Sequence, residues 1–325
     1  METEALFPCI MPAIAEDYER TKIHYNKLFK YLPICELLLI GPESLKSHIE
    51  NDVSSHVFGD NTVCFIDESS ILPIAAIKDI YDNMRSNASQ TKISSVNWYY
   101  QQFLKMAFSF YCEDDYYICW DSDTIPLKII AMFNSDNKPY LDIKSEHNTS
   151  YFLTIQKLFG FRKIIEKSFI SEHMIFNTKL MREMIEEIET LPISGQKYYE
   201  KILSAVGCDN LALGFSEFET YGTWIGMRNP SAYVLRNWNS IRNTNFFIDI
   251  ADITEDDIDW LSKDYDAATF EKYHETDNSL TELFRNPYYR EKLSPKQFYT
   301  SVLESGIMGD YTNGMIEFNG FMMPT

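Results

Sequence analysis

Basic residues are scarce in this chain: 29 lysines and arginines stand against 48 aspartates and glutamates, a formal net charge of −19. The basic residues are also scattered, as at Lys27, Lys30, Arg162 and Lys163, with no stripe of the kind a nucleic-acid backbone requires. Nucleic acid is therefore not an expected partner, and direct docking to an acidic membrane surface is disfavoured. An anionic ligand would need a metal ion or a local pocket of cations.

No two cysteines are spaced as CxxC. Cys9, Cys35, Cys64, Cys112, Cys119 and Cys208 are dispersed, several of them inside apolar runs. That argues against a zinc or redox motif and for free thiols in a reducing compartment. The N-terminal residues lack a basic segment, and Pro8 and Pro12 interrupt their apolar stretch, so a signal peptide is not expected. No apolar run approaches the length that spans a bilayer. Internal repeats and low-complexity linkers are missing too. The expected location is cytoplasmic, with peripheral attachment at the inner face of the membrane left open. The sequons at Asn87 and Asn148 are then chance matches, and no feature indicates an oligomeric state.

What is present is the material of a sizeable core. The 325 residues are 45% hydrophobic and 24% charged, which is ordinary for folded domains and not for disorder. The 21 tyrosines and 22 phenylalanines suit a core first, and sugar- or base-binding clefts second.

The first third alternates between strand and helix patterns. Strands are expected at 6–14, 35–40, 63–66 and 116–120, and helices at 17–32, 44–50, 74–84 and 96–110, the last capped by Ser94 or Ser95. Such alternation predicts an α/β fold with a mostly parallel sheet, whose ligands sit beyond the carboxyl ends of the strands. The second half is less regular. It reads as a helix at 151–159, a strand at 169–177 running into a helix at 179–189, helices at 198–206 and 215–225, and a strand at 232–235. An acidic stretch at 252–259 opens a mainly helical tail. We expect two parts: a domain over 1–248 and an acidic, helical C-terminal extension over 249–325.

Tyr116-Tyr117-Ile118-Cys119-Trp120 is short, apolar, aromatic and β-branched, as suits a strand covered on both faces. Asp121 and Asp123 project from its end, and Pro126 stops it continuing. Two carboxylates one residue apart on a turn can converge on a hard cation, which prefers oxygen ligands. Asp67 and Glu68 end another strand and could reach the same crevice.

The stretch Trp120-Asp121-Ser122-Asp123-Thr124-Ile125-Pro126-Leu127 resembles the DxD motif of GT-A glycosyltransferases. Asn97-Trp98-Tyr99-Tyr100-Gln101-Gln102-Phe103-Leu104-Lys105-Met106 resembles the Trp-Tyr-x-Gln-Gln-x-x-Lys helix of a largely uncharacterised bacterial group associated with surface polysaccharide synthesis. Phe169-Ile170-Ser171-Glu172-His173-Met174-Ile175-Phe176-Asn177 and Phe215-Ser216-Glu217-Phe218-Glu219-Thr220-Tyr221-Gly222 are similar to that group's two later motifs. The resemblance covers roughly residues 5–240. It implies a GT-A fold, a Rossmann-like sheet with its nucleotide-sugar site at the strand ends. It implies Mn²⁺ or Mg²⁺ at Asp121 and Asp123, stabilising a nucleoside diphosphate as it leaves. The partners implied are a nucleotide-sugar donor and a glycan or lipid-linked acceptor.

Around that motif the candidate roles divide as follows. Asp121, Ser122 and Asp123 would meet the donor. Gln101 and Lys105 lie one helical turn apart and share a face. If that face meets the crevice, Lys105 could hold a phosphate, and Gln101 or Gln102 sugar hydroxyls. His173 and Trp224 are candidates for the acceptor, with His173 also able to complete a metal shell. An inverting transferase, toward which the reading leans slightly, needs one carboxylate to deprotonate the acceptor hydroxyl. Glu217, beside the capping candidate Ser216, fits best, with Glu172 and Glu219 behind it. Glu217 and Glu219 cannot both face the substrate from one helix. His274, the only histidine after these motifs, lies outside the resemblance.

Each residue also has a plain reading: a solvated turn for the aspartates, a solvated helix face for Gln101 and Lys105, a satisfied histidine, a packed tryptophan, and a helix N-terminal acid favoured by the dipole. Two other functions compete. Asp121-Ser122-Asp123-Thr124 superficially matches the nucleophile motif of haloacid-dehalogenase-type phosphatases, but Ile125 stands where Thr or Val belongs, so a metal-dependent phosphohydrolase is the weaker reading. A non-catalytic carbohydrate-binding module would need no nucleotide site.

Overall fold

The computed structural model describes residues 5–89, 93–145, 148–163, 167–272 and 275–306, with the backbone of two further strands near the C-terminus. In chain order the strands are β1 (Phe7–Pro12), β2 (Ile34–Gly41), β3 (Val63–Asp67), β4 (Tyr116–Trp120), β5 (Thr124–Pro126), β6 (Tyr140–Ile143), β7 (His173–Asn177), β8 (Val234–Asn237), β9 (Ser240–Ile241), β10 (Ala267–Thr269), β11 (Met315–Phe318) and β12 (Phe321–Pro324). The helices are α1 (Ala15–Thr21), α2 (Tyr25–Tyr31), α3 (Glu43–Ser54), α4 (Glu68–Ile71), α5 (Ala75–Ser86), α6 (Val96–Ala107), α7 (Thr149–Phe159), α8 (Thr178–Thr190), α9 (Tyr198–Val206), α10 (Glu217–Arg228), α11 (Glu255–Leu261), α12 (Asn278–Phe284), α13 (Pro287–Lys292) and α14 (Pro295–Glu304). They fall into two compact units.

The first unit is Met1–Ala15, Ile34–Asp121 and Met132–Asn237. Its sheet has the order β3-β2-β1-β4-β7. β1 pairs in parallel with β2 and β4, and β2 with β3, while β7 runs antiparallel to β4. This is the α/β class the alternation predicts, a mostly parallel sheet flanked by helices. Residues such as Ile10, Leu37, Leu39, Ile118 and Cys119 are buried, because a strand covered on both faces cannot spare either face for polar groups.

The expected strand over 169–177 is shorter, starting only at His173. Glu172 stands just before it at φ 57°, a left-handed backbone that ends the extended run. Since β7 is antiparallel to β4, His173 pairs with Trp120. The Glu-His pair therefore reaches the carboxyl end of β4 from the beginning of its own strand.

The second unit is Glu16–Pro33, Ser122–Ala131 and Trp238–Thr325. A small sheet, β5-β10-β9, backs a core that includes Ile125, Leu127, Phe247, Ile250, Trp260, Phe270, Phe284 and Phe298. The last segment of this unit starts at Trp238, and two early segments belong with it. Ile125 and Leu127 are drawn in by burial in this core. The segment 16–33 is tied by the His24 ring to the Ile250 carbonyl at 2.8 Å and by Arg20 Nη1 donating to the Phe270 carbonyl at 2.9 Å. The C-terminal portion is not purely helical, since β10 lies in it and β11 pairs antiparallel with β12. Its acidic stretch opens α11: Thr254 and Asp257 form a reciprocal cap. The buried Asp257 carboxylate also accepts from Arg285 at 3.3 Å and from Arg290.

No helix among the described residues is long and apolar enough to cross a membrane. All six cysteines are free.

Candidate active site

Asp121 leaves the end of β4, and its backbone N–H donates to the Glu172 carbonyl at 2.9 Å. The left-handed turn at Glu172 therefore helps aim the residue that follows β4. From the other side comes α6. Ser95 caps that helix, accepting from the Trp98 N–H at 3.3 Å, and from Tyr99 to Ala107 every residue but Gln101 is buried. Tyr117 donates to the Lys105 carbonyl at 2.8 Å, clamping the last turn of α6 to β4. The Lys105 ammonium then lies 2.7 Å from Asp121 Oδ1 and 2.8 Å from Glu217 Oε1, with the Phe218 ring centroid 4.4 Å away.

Lys105 is not on a solvated face. Its side chain is 5% exposed and Glu217's is 4%, against 35% for Asp121. Burial works against the lysine's charge, yet Asp121 and Glu217 outweigh it and hold the ammonium well above the ordinary lysine range. Burial raises the Glu217 carboxyl, helped by the Asp121 charge and opposed by Lys105. One cation between two carboxylates leaves the group with a net negative charge. Asp121 presents it to solvent, because Lys105 engages one of its two oxygens.

Gln102 is buried and holds the architecture together. Its Oε1 accepts from the Glu217 N–H at 3.2 Å and its Nε2 donates to the Trp98 carbonyl at 3.0 Å. Gln101 is half-buried. Ser122 and Asp123 form the turn between β4 and β5, both half-buried. The backbone of Asp123 accepts from the Phe270 N–H at 2.8 Å.

The two acids of α10 diverge, as one helix requires. Ser216 caps it, accepting from the Glu219 N–H at 3.2 Å. Glu217 turns to Lys105. Glu219, fully buried, accepts from Lys163 at 2.5 Å, Ser168 Oγ at 2.7 Å, the Phe169 N–H at 2.8 Å and Thr223 Oγ1 at 3.1 Å. That carboxylate is committed to holding the loop ahead of β7. Gly222 lets α10 approach the same loop, since a Cβ there would sit 2.4 Å from Phe169. Glu172 is buried and paired with Lys144 at 2.7 Å.

His173 is buried with both ring nitrogens engaged, Nε2 to Asp142 at 3.0 Å and Nδ1 to the Ser171 carbonyl at 2.8 Å. Its ring lies 5.0 Å from that of Trp120. Arg236 closes on the same Asp142 with two bonds of 2.6 and 2.7 Å. Trp224 is buried and donates its indole N–H to Glu187 at 2.8 Å. Both acceptor candidates are therefore held within the packing of the first unit. Asp67 is spent as the cap of α4, accepting from the Ser69 N–H at 2.9 Å. His274 lies outside the described residues.

Lys144, Lys163, Asp142 and Arg236 had no signal in the sequence. From irregular segments or short strands, Lys144 partners Glu172, Lys163 partners Glu219 and Asp142 partners His173, with Arg236 on Asp142. Among the described residues no three His, Cys, Asp or Glu side chains are grouped to hold a metal ion. A magnesium-type site needs fewer: one or two carboxylates, with water and substrate phosphates completing the shell. A half-exposed Asp121 bearing surplus negative charge fits that demand.

A model of the family of unknown function DUF6492 matches residues 5–284. No curated protein matches the sequence. Among solved structures, the apo form of mouse xyloside xylosyltransferase 1 is similar at 13% identity and a TM-score of 0.47, covering 83% of this chain and 99% of its own. The apo WbbM bifunctional glycosyltransferase is similar at 11% identity and a TM-score of 0.44, over 92% of this chain and 52% of that one. The galactosyltransferase LgtC, in complex with donor and acceptor sugar analogues, is similar at 11% identity and a TM-score of 0.41, over 90% and 96%.

Proposed function

The chain belongs to the DUF6492 family, whose function is unknown, and from its own residues we propose that it is a metal-dependent glycosyltransferase, moving a sugar from a nucleotide-sugar donor to a glycan or lipid-linked acceptor in bacterial surface polysaccharide synthesis. The observation that carries this reading is Asp121. It sits where ligands of parallel sheets bind, beyond the carboxyl end of β4, locked by Lys105 and by the Glu172 backbone, and partly open to solvent. The sequence supplies its partner Asp123 two residues further on, within a stretch resembling the DxD motif of GT-A enzymes.

In this reading Asp121 and Asp123 hold Mn²⁺ or Mg²⁺, whose chemistry when bound is Lewis-acid neutralisation of the nucleoside diphosphate as it leaves. Lys105 fixes Asp121 and is engaged by two carboxylates, so it is not assigned as a phosphate clamp. Glu217 is the acid we assign as base. Burial already raises its proton affinity, and it shares its lysine with Asp121, which places it beside the proposed metal ligand, whereas Glu219 holds the loop ahead of β7. Accepting the proton of the acceptor hydroxyl, as its oxygen attacks the anomeric carbon and the bond to the diphosphate breaks, gives inversion.

The test is a melting-temperature screen of the intact chain with Mn²⁺ and UDP, GDP, CDP or CMP in turn. A rise with one nucleotide that disappears on chelation is the expected result. A flat response to all four overturns the reading, and phosphate release from a generic phosphomonoester would replace it with a phosphohydrolase.

A further inference from the structure

Glu172 is held in a backbone conformation that its residue type does not favour. Among the described residues, side chains at positive φ occur at His56, Asn137 and Glu172. His56 and Asn137 are exposed, whereas Glu172 is buried. A non-glycine residue in the left-handed region costs energy, and it persists where its surroundings fix it, commonly at functional sites. Contacts within the first unit fix this one. After it, His173 pairs with Trp120 in the β4–β7 ladder. Before it, Ser171 spans the turn, its Oγ donating to the His173 carbonyl at 2.7 Å. The Glu172 carboxylate takes the Lys144 ammonium at 2.7 Å, with the Lys144 side chain 10% exposed and that of Glu172 3% exposed. Lys144 is itself placed by reciprocal backbone bonds with Ser168, both of 2.9 Å. The Ser168 hydroxyl in turn donates to Glu219 at 2.7 Å.

The turn serves one bond to the site. The Glu172 carbonyl accepts from the Asp121 N–H at 2.9 Å, one residue beyond the last β4–β7 pair. The ladder thus extends to Asp121, while the chain ahead of Glu172 turns away. Lys105 fixes the Asp121 carboxylate, and Glu172 fixes its main chain. We propose that the Lys144–Glu172 ion pair is a positioning device for the metal site: it holds the left-handed turn that keeps the Glu172 carbonyl on Asp121, and so presents the Asp121 carboxylate to the cation. Glu172 then acts through its backbone and not as a base. The inference rests on the glycosyltransferase reading, with its metal at Asp121, and gives Lys144 a role at one remove from the cation. Outer partners of this kind commonly govern metal affinity by about 10–100-fold.

The experiment is titration of the intact chain with Mn²⁺, alone and with the nucleotide that the melting screen selects, followed by the electron paramagnetic resonance signal of the free ion. Urea unfolding of each variant without metal runs beside it. In folded Lys144→Met the Mn²⁺ affinity should fall by about tenfold or more. Glu172→Gly is at ease at positive φ but has no side chain for Lys144. It should show the same loss, and it serves if Lys144→Met fails to fold. Glu172→Gln keeps an oxygen that accepts from Lys144 and should lose less than either. A lower urea midpoint with wild-type Mn²⁺ affinity in Lys144→Met and Glu172→Gly is the signature of a merely structural pair. That result overturns this inference and leaves the transferase reading standing. A wild-type chain that binds no Mn²⁺, alone or with any nucleotide of the screen, overturns both.

Discussion

Lys105 and Asp121 are sixteen residues apart in sequence, yet their side chains meet at 2.7 Å, and the lysine's other contact, Glu217 at 2.8 Å, comes from a third element. The acid at the end of β4 is thereby tied to the start of α10 through one buried ammonium.

Removing that ammonium strands Glu217 as a buried, unpaired charge. Lys105→Met should lower unfolding stability by about 3 kcal/mol, the scale for breaking one side of a buried pair. Combining it with Glu217→Leu should recover part of the loss. Urea unfolding of the two single variants and the double variant measures this coupling.

Asp123→Ala should cut transfer by about a hundredfold or more, since Lewis-acid stabilisation is worth several kcal/mol and each 1.4 kcal/mol is tenfold. The chain should still fold, because the backbone bond to Phe270 survives, at the loss of the 3.4 Å bond that the Thr124 hydroxyl donates to the Asp123 carboxylate. The rise with Mn²⁺ and nucleotide should vanish. Full activity in this variant would remove the metal assignment.

Glu217→Gln keeps the shape of the Lys105 contact and abolishes proton acceptance. If Glu217 is the base, kcat falls by about two to four decades while donor affinity by titration changes little. A variant retaining most of its kcat would leave Glu217 as an anchor for Lys105 alone.

Gly222→Ala places a methyl group 2.4 Å from Phe169. The loop that Glu219 holds must shift to admit it. Overpacking of this kind costs about 1–3 kcal/mol, read as a lower unfolding midpoint.

Acid should destabilise the first unit through Asp142. Burial alone would raise that carboxyl, but the hydrogen bonds and charges of Arg236 and His173 overcome it and hold the group below its ordinary value of 3.8. A carboxyl whose pKa is depressed in the folded state stabilises the fold above its unfolded value, and the benefit is lost as pH falls through the folded one. Stability should therefore fall with a steepening slope below about pH 4. Asp142→Asn should be less stable at neutral pH and show a shallower acid slope.

By itself the sequence determined the α/β alternation, the burial of the Tyr116–Trp120 strand, the cap at Ser216, a cap at Ser94 or Ser95 of which the structure uses Ser95, and the position of Asp121 at a strand end. All of these are local: each follows from hydrophobic period, strand length or cap chemistry within one segment. It also indicated that Glu217 and Glu219 diverge, since positions two apart on one helix lie on roughly opposite faces. Only the tertiary structure decided which partner each charged group takes. Lys105 looks solvent-facing by helical spacing and is enclosed because α6 is buried on nearly all sides. His173 and Trp224 are engaged by Asp142 and Glu187, neither of them near in sequence. The division into units was hidden for the same reason. Ile125 and Leu127 belong with Phe247 and Trp260 through burial in a shared core, and burial between distant segments leaves no periodic trace in the chain. The aspartate that opened the functional reading was visible from its own strand, whereas the lysine, glutamate and backbone carbonyl that hold it came from α6, α10 and the turn before β7.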